Sequence, residues 1–202
     1  MNNSQITQLS KLPSATVHEA LGGIGALPSR IKPIHACMTV CGPAVTVETR
    51  PGDNLTIHRA LSDAPAGSVL IVSTDGAFEY GYWGEIMAVA AQARGIVGLV
   101  IDGCIRDAEP IEKLKFPVFS RGLSILGTSK KGNGRINEPL VIGSITIFPN
   151  DIVLGDRDGV VIVPEARVQE AIEKSIAREA RELEMMNQLR AGRTTLDILG
   201  LE

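Results

Sequence analysis

The stretch that decides the fold is Ser68 to Phe119, "SVLIVSTDGAFEYGYWGEIMAVAAQARGIVGLVIDGCIRDAEPIEKLKFPVF". Ser68–Val72 is an unbroken apolar run of strand length, the kind buried on both faces of a sheet. Glu85–Arg94 has helical spacing, with Ile86, Val89, Ala90 and Ala93 expected on one buried face, and Gly95 ends it. Ile96–Ile101 is a second buried strand, Ala108–Leu114 a short helix and Phe116–Phe119 a third strand. Strand, helix, strand, helix, strand is two consecutive βαβ units, which predicts a parallel sheet in an α/β fold. In open sheets of this type ligands bind beyond the carboxyl ends of the strands. Two loops leave those ends, Ser73–Gly84 and Asp102–Asp107, and the topology brings them together.

Outward from this centre the signals are more local. Ser14 is placed to cap a helix that Gly22-Gly23 stops. Ala36–Thr49 is β-rich with an interruption at Gly42-Pro43, and Asp53–Leu61 returns to helical spacing, with Leu55, Ala60 and Leu61 to bury. Ile145–Phe148, Asp151–Leu154 and Val160–Val163 form strands joined by turns at Pro149-Asn150 and Asp156–Gly159. From Glu165 to about Arg190 a charged helix carries Val168, Ile172, Ile176, Ala180, Leu183 and Met186 as a stripe expected to pack along its length. Gly192–Glu202 is expected to dock as a short segment. The expected organisation is one α/β domain over 1–164 and a helical extension, 165–202, packed on it.

Composition excludes several functions. A formal net charge of −3 with scattered basic residues gives no footprint for nucleic acid; Lys130-Lys131 is the sole adjacent lysine pair. Cys37, Cys41 and Cys104 are odd in number and form no CxxC pair, which disfavours a disulfide framework or a thiolate zinc site. His18, His35 and His58 form no HxH or HxxxH pair. Met1–Leu12 lacks the apolar region of a signal peptide, and no run approaches the ~20 apolar residues of a membrane span, so a cytoplasmic location without membrane contact is expected.

The chemistry concentrates at the two loops. The helix starting at Gly84-Glu85 points unpaired N–H groups and the positive end of its dipole into the loop region. Arg106 leaves the neighbouring strand end and can hold a carboxylate through two parallel hydrogen bonds. Asp107 can ligate a hard divalent cation with water filling most of the shell. Each residue also has a plainer reading: Arg106-Asp107 as a surface ion pair, Asp107 as a cap on Ala108–Leu114, Glu85 as an acidic first-turn residue. A Schiff-base lysine is disfavoured because Lys113, Lys115, Lys130 and Lys131 sit in polar surroundings, and no histidine pairs with Cys104 to make a nucleophile. Asp102 is expected to organise its loop, and His18-Glu19 has a structural reading as good as a functional one.

"GYWGEIMAVAAQARGIVGLVIDGCIRD", Gly81 to Asp107, resembles the signature of the 4-hydroxy-4-methyl-2-oxoglutarate aldolase family, which shares its fold with the regulator of ribonuclease activity A (RraA-like). The pattern is an acidic residue, twenty positions, then Arg-Asp, met by Glu85, Arg106 and Asp107. Similarity runs through Ala15–Ile34, Pro51–Leu61, Phe116–Gly122 and Pro149–Pro164. The resemblance implies a swivelling-type β/β/α domain with a central βαβαβ unit and a long C-terminal helix, assembled as a homotrimer or homohexamer with sites near subunit boundaries. It implies a class II aldolase, a carbon–carbon lyase acting on 4-hydroxy-4-methyl-2-oxoglutarate or 4-carboxy-4-hydroxy-2-oxoadipate, with oxaloacetate decarboxylation as a side activity. Gly84, Glu85, Ile86 and Met87 through their backbone, and Arg106 through its side chain, would hold the pyruvyl end. Asp107 would ligate Mg²⁺ or Mn²⁺, and Glu85 would act on metal-bound water. Many relatives have Asp where Glu85 stands, one methylene shorter. The competing implication is a non-catalytic ribonuclease-binding regulator; a related 2-oxo acid decarboxylase is a third.

Overall fold

The computed structural model describes residues 3–201. The five-element centre forms in the expected order: β2 (Val69–Ser73), α4 (Glu85–Ala93), β3 (Gly98–Asp102), α5 (Ala108–Leu114) and β4 (Val118–Ser120), preceded by β1 (Val40–Glu48) and α3 (Leu55–Asp63). β1, β2, β3 and β4 lie side by side in parallel, with Thr46 opposite Ile71 and Ile71 opposite Val100. The chain adds β5 (Ile152–Gly155) and β6 (Val160–Val163) antiparallel beyond β1, and Lys32–Pro33 antiparallel on β4. α1 (Asn3–Leu9), α2 (Ser14–Ala20), α6 (Val168–Arg190) and α7 (Thr195–Leu199) complete the fold.

Alternation along each strand splits the core in two. Leu70, Val72, Leu99 and Ile101 face α3, α4 and α5, while Val69, Ile71 and Val100 face the opposite side. That side is covered by a small hairpin, Leu140–Ile142 with Ile145–Ile147, which completes a β/β/α layering. A third cluster joins β5 and β6 to Leu9, Val17, Val168 and Ile172 of α1, α2 and α6. The aliphatic, fully buried strands are what the apolar runs required.

Five local expectations are corrected. The Gly42-Pro43 break does not end β1; it is where the strand changes partners. Val40 to Pro43 pair with β5, and Ala44 to Glu48 pair with β2. Gly42 is required there, because a Cβ would lie 2.6 Å from the Gly67 carbonyl oxygen. The second correction concerns α4, which buries Met87, Ala88 and Ala91 and leaves Ile86 83% and Val89 47% exposed. The sequence EIMAVAAQA is apolar on nearly every side, so periodicity alone does not choose between faces.

Ser14 is not a cap but the first residue of α2. Its N–H and hydroxyl both donate to the Asp156 carboxylate at 2.7 Å, so the β5–β6 turn caps α2 instead. Finally, α6 buries Val168, Ala171, Ile172 and Ser175, then leaves Ile176, Leu183 and Met186 about half exposed. At ~1.5 Å per residue the 23-residue helix outruns the seven-residue α1 and α2 on which it rests. α7 opens with a Thr194–Asp197 capping box and buries no residue, so Gly192 to Leu201 does not dock; Glu202 lies outside the described residues. No helix among the described residues is long and apolar enough to cross a membrane.

Candidate functional site

Three loops are laced together at the carboxyl ends of β2 and β3. The Cys104 N–H donates to the Phe78 carbonyl at 2.9 Å, Tyr82 N–H to Cys104 at 3.1 Å and Arg106 N–H to Trp83 at 2.9 Å. Cys104–Ile105 also pairs in parallel with Gly122–Leu123, which brings Ser124 and Leu126 alongside; Gly81 N–H donates to Leu126 at 2.8 Å. Tyr82 fastens a fourth segment, accepting from the Gly52 N–H at 2.9 Å and donating to Ala77 at 2.7 Å. These backbone bonds, rather than side-chain packing, set where Arg106 and Asp107 sit.

Glycine makes that approach possible. A Cβ at Gly81 would lie 2.4 Å from the Ser124 carbonyl oxygen, and one at Gly84 would lie 2.5 Å from Asp107 Oδ2 and 3.4 Å from Arg106 Cγ. The Arg106 stem therefore runs over a floor of two glycines. Asp107 itself is held at φ 57°, ψ 40°, a left-handed conformation that Asp tolerates better than most residues.

Asp107 occupies the capping position of α5 yet makes no side-chain bond to that helix. Its Oδ2 accepts the Glu85 N–H at 3.1 Å, so the carboxylate caps the neighbouring α4. There the helix dipole and an otherwise orphaned N–H both favour a negative charge. Arg106 Nε stands 3.8 Å from the same oxygen, with both side chains about half exposed. Such a pair contributes little to stability, and the guanidinium is left available to a ligand. Of the first-turn N–H groups, Met87 and Ala88 donate to the Gly84 carbonyl at 3.1 Å, Glu85 to Asp107, and Ile86 is left over. The side chains of Ile86 and Met87 point elsewhere, one to solvent and the other into the core. Arg106, Asp107, Ala108, Leu123, Ser124 and Ile125 line an open cavity of about 370 Å³. A larger one of about 640 Å³, between α5 and residues 35–39, contains neither Arg106 nor Asp107.

Asp102 organises its loop through a buried ion pair with Arg121, whose guanidinium lies 3.4 Å from the centre of the Phe78 ring. Neither Arg121 nor Phe78 is marked by any sequence spacing. The other groups are chemically quiet. Burial raises the Cys104 thiol above its ordinary range, aided by the Glu79 charge and opposed by Arg121. Lys113, Lys115, Lys130 and Lys131 are exposed. His18 Nδ1 lies 2.8 Å from the Ile24 carbonyl oxygen and Glu19 pairs with Arg178 at 3.5 Å, both structural roles.

No three His, Cys, Asp or Glu side chains converge as metal ligands among the described residues. The cavity mouth offers a single carboxylate, Asp107, backed by a glycine that leaves its oxygens room. That donor set fits Mg²⁺ or Mn²⁺ keeping most of its water, and does not fit an all-protein zinc or calcium cage.

Comparison with known proteins agrees with this architecture. A Halalkalibacterium halodurans protein named "Putative 4-hydroxy-4-methyl-2-oxoglutarate aldolase" is 36% identical over 196 residues, 95% of this chain and 93% of that one. A crystal structure of an uncharacterized Pseudomonas syringae protein superposes with a TM-score of 0.87 at 32% identity, over 96% of this chain and 92% of that one. Streptomyces coelicolor RraAS2, described as an unusual member of the RNase ES inhibitor RraA protein family, gives a TM-score of 0.80 at 25% identity, over 94% and 98%. The family model RraA-like, described as Aldolase/RraA, matches residues 14–162. With the sheet, the layering and the long C-terminal helix on the page, the chain belongs to the RraA-like family.

Proposed function

We propose that the chain is a divalent-metal-dependent aldolase that cleaves a 4-hydroxy-2-oxo acid such as 4-hydroxy-4-methyl-2-oxoglutarate or 4-carboxy-4-hydroxy-2-oxoadipate and releases pyruvate. The observation that carries this reading is that Arg106 and Asp107 line one cavity while the Asp107 carboxylate accepts the first N–H of α4. The aldolase name of the relative points the same way.

Arg106 binds the carboxylate of the pyruvyl end, and the free Ile86 N–H adds a backbone donor beside it. Asp107 would hold Mg²⁺ or Mn²⁺, with water completing most of the shell. The metal, when bound, supplies a Lewis acid for the negative charge that develops on the 2-oxo oxygen as the carbon–carbon bond breaks. Glu85, exposed in the first turn of α4 with its N–H on Asp107, orients water or moves a proton next to that carboxylate. Decarboxylation of oxaloacetate needs the same charge stabilisation and follows as a side activity.

Assembly completes the cavity in this reading. Leu123 is 63% and Ile125 96% exposed on its rim, and Ile86 lies exposed on α4, so a homotrimer or homohexamer would cover them and exclude water. The test is pyruvate release with Mg²⁺, with and without chelator. Turnover that survives chelation, or is unchanged in Arg106→Ala and Asp107→Ala, rejects the mechanism. The likeness to RraAS2 favours one other reading, a ribonuclease-binding regulator; capture of a ribonuclease by a protein inactive on every 2-oxo acid would establish it instead.

A further inference from the structure

The cavity at Arg106 and Asp107 does not end at its own rim. Ala108 and Leu123, which line it, also line a second cavity of about 260 Å³, walled by Arg30, Lys32, Ile34, Glu112 and Arg121. The two cavities adjoin across Ala108 and Leu123, with the pyruvyl end assigned to the first.

The cations of the second cavity differ in how committed they are. Arg121 is spent: it is 8% exposed, and Asp102 neutralises it from behind. Arg30 makes no ion pair among the described residues; it is exposed and steadied by the Phe78 ring, 5.7 Å from the centroid. Lys32 donates to the Asp158 carbonyl, a bond that uses one ammonium hydrogen and neutralises no charge. Glu112 is the sole carboxylate on the wall. With Arg121 cancelled by Asp102, Arg30 and Lys32 outweigh Glu112, and this cavity carries net positive charge.

We infer that Arg30 and Lys32 determine specificity by binding a carboxylate on the leaving half of the substrate, across the Ala108–Leu123 ridge from Arg106. This rests on the aldolase reading and adds to it the residues that receive the non-pyruvyl half. A 2-oxo acid with an uncharged tail places nothing opposite these cations and is a poor substrate. A tail carboxylate meets the Arg30 guanidinium and the Lys32 ammonium, both exposed.

The experiment has two arms. Wild-type protein with Mg²⁺ is incubated with pyruvate in D₂O, and deuterium entry into the methyl group is followed by NMR; no exchange rejects the aldolase reading itself. Cleavage kinetics are then compared for 4-hydroxy-4-methyl-2-oxoglutarate and for 4-hydroxy-2-oxopentanoate, which lacks the tail carboxylate, in wild type and Arg30→Met/Lys32→Met. The expected result is a wild-type preference for the first substrate that collapses in the variant, through a KM rise of about 10- to 100-fold on that substrate. The wild-type KM should climb more steeply with added salt than the variant's, in which only Arg106 still meets a substrate carboxylate. Arg30→Lys should recover part of the preference. Exchange without any wild-type preference, or an equal loss on both substrates in a variant that melts at the wild-type temperature, overturns the assignment.

Discussion

Gly84→Ala separates the position of Asp107 from the stability of the fold. The added Cβ would lie 2.5 Å from Asp107 Oδ2, whereas an ordinary nonbonded contact needs about 3.5 Å, so the carboxylate must retreat by about 1 Å. Gly84 has φ −147°, ψ −175°, extended backbone that alanine adopts freely, so the substitution carries no backbone strain. Alanine reduces the freedom of the unfolded chain, a gain of about 0.4–1 kcal/mol. Loss of the Glu85 N–H to Asp107 bond costs about 1 kcal/mol, since that carboxylate is 42% exposed and water compensates part of it. These nearly cancel, and the melting temperature should move by no more than roughly 2–4 °C. Activity should fall much further, because a misplacement of about 1 Å in a positioning group costs on the order of 10²-fold. Pyruvate release with Mg²⁺ and a thermal melt are the paired assays. Gly127→Ala, where an added Cβ meets nothing within 4 Å, is the control and should match wild type in both. A Gly84→Ala protein with wild-type kcat/KM would refute the claim that the Asp107 carboxylate must stay where α4 holds it.

Three further outcomes follow from other parts of the chain. At pH 8 iodoacetamide should modify Cys37, which is exposed, while burial keeps the Cys41 thiol pushed up to about 12 and Cys104 above its ordinary range; labelled Cys104 in a peptide map would contradict its burial. Asp53 is buried, and burial alone would raise its carboxyl, but donation from the Ser129 hydroxyl and the Lys131 and Leu55 N–H groups outweighs this and holds it well below the carboxylate range. Its contribution is therefore complete above the unfolded value of about 3.9 and is lost as pH falls toward the folded one. Asp53→Asn should cost roughly 2–3 kcal/mol at neutral pH and flatten the acid limb of a stability–pH curve; an unchanged acid limb would assign that limb to other groups. Deleting residues 192–202 should leave the melting temperature in place because α7 buries nothing, whereas Ile172→Ala, 2% exposed between α6 and the sheet, should cost about 2–5 kcal/mol by denaturant unfolding.

The sheet was legible because its strands are aliphatic and buried on both faces, so Val69–Ser73 and Gly98–Asp102 could be read without knowing their neighbours. What could not be read depended on partners distant in sequence. Gly42-Pro43 looks like a strand end locally; only Ile152 on one side and Val69 on the other show it to be a change of partner. α4 is apolar around most of its circumference, so its buried face is chosen by the sheet and by Asn54, which reaches Met87, rather than by periodicity. The α6 stripe continues regularly past Ser175, but the body it packs on does not. Arg30 and Lys32 are ordinary surface cations in sequence and adjoin the site only through tertiary placement.

Arg106-Asp107 shows the same limit within the site. From sequence such a dipeptide is more often a surface ion pair or a helix cap than a ligand-binding pair, and the spacing from Glu85 does not by itself explain why twenty residues should matter. The structure supplies a physical account. Twenty residues are the length of α4, β3 and the turn into Cys104–Ile105, the chain needed to return from the start of α4 to a point beside that same start. The left-handed backbone of Asp107 turns its carboxylate away from its own helix and onto the Glu85 N–H. One oxygen is thereby fixed by α4 while the residue lines the cavity, so Asp107 couples the two βα loops. A substitution that frees the capping oxygen, such as Glu85→Pro, which removes the N–H while placing proline where a first helical turn accepts it, should loosen Asp107 without unfolding α4. The expected readout is a weaker Mg²⁺ affinity by titration with an unchanged far-ultraviolet dichroism spectrum. Unaltered affinity would show that the metal position does not depend on this cap.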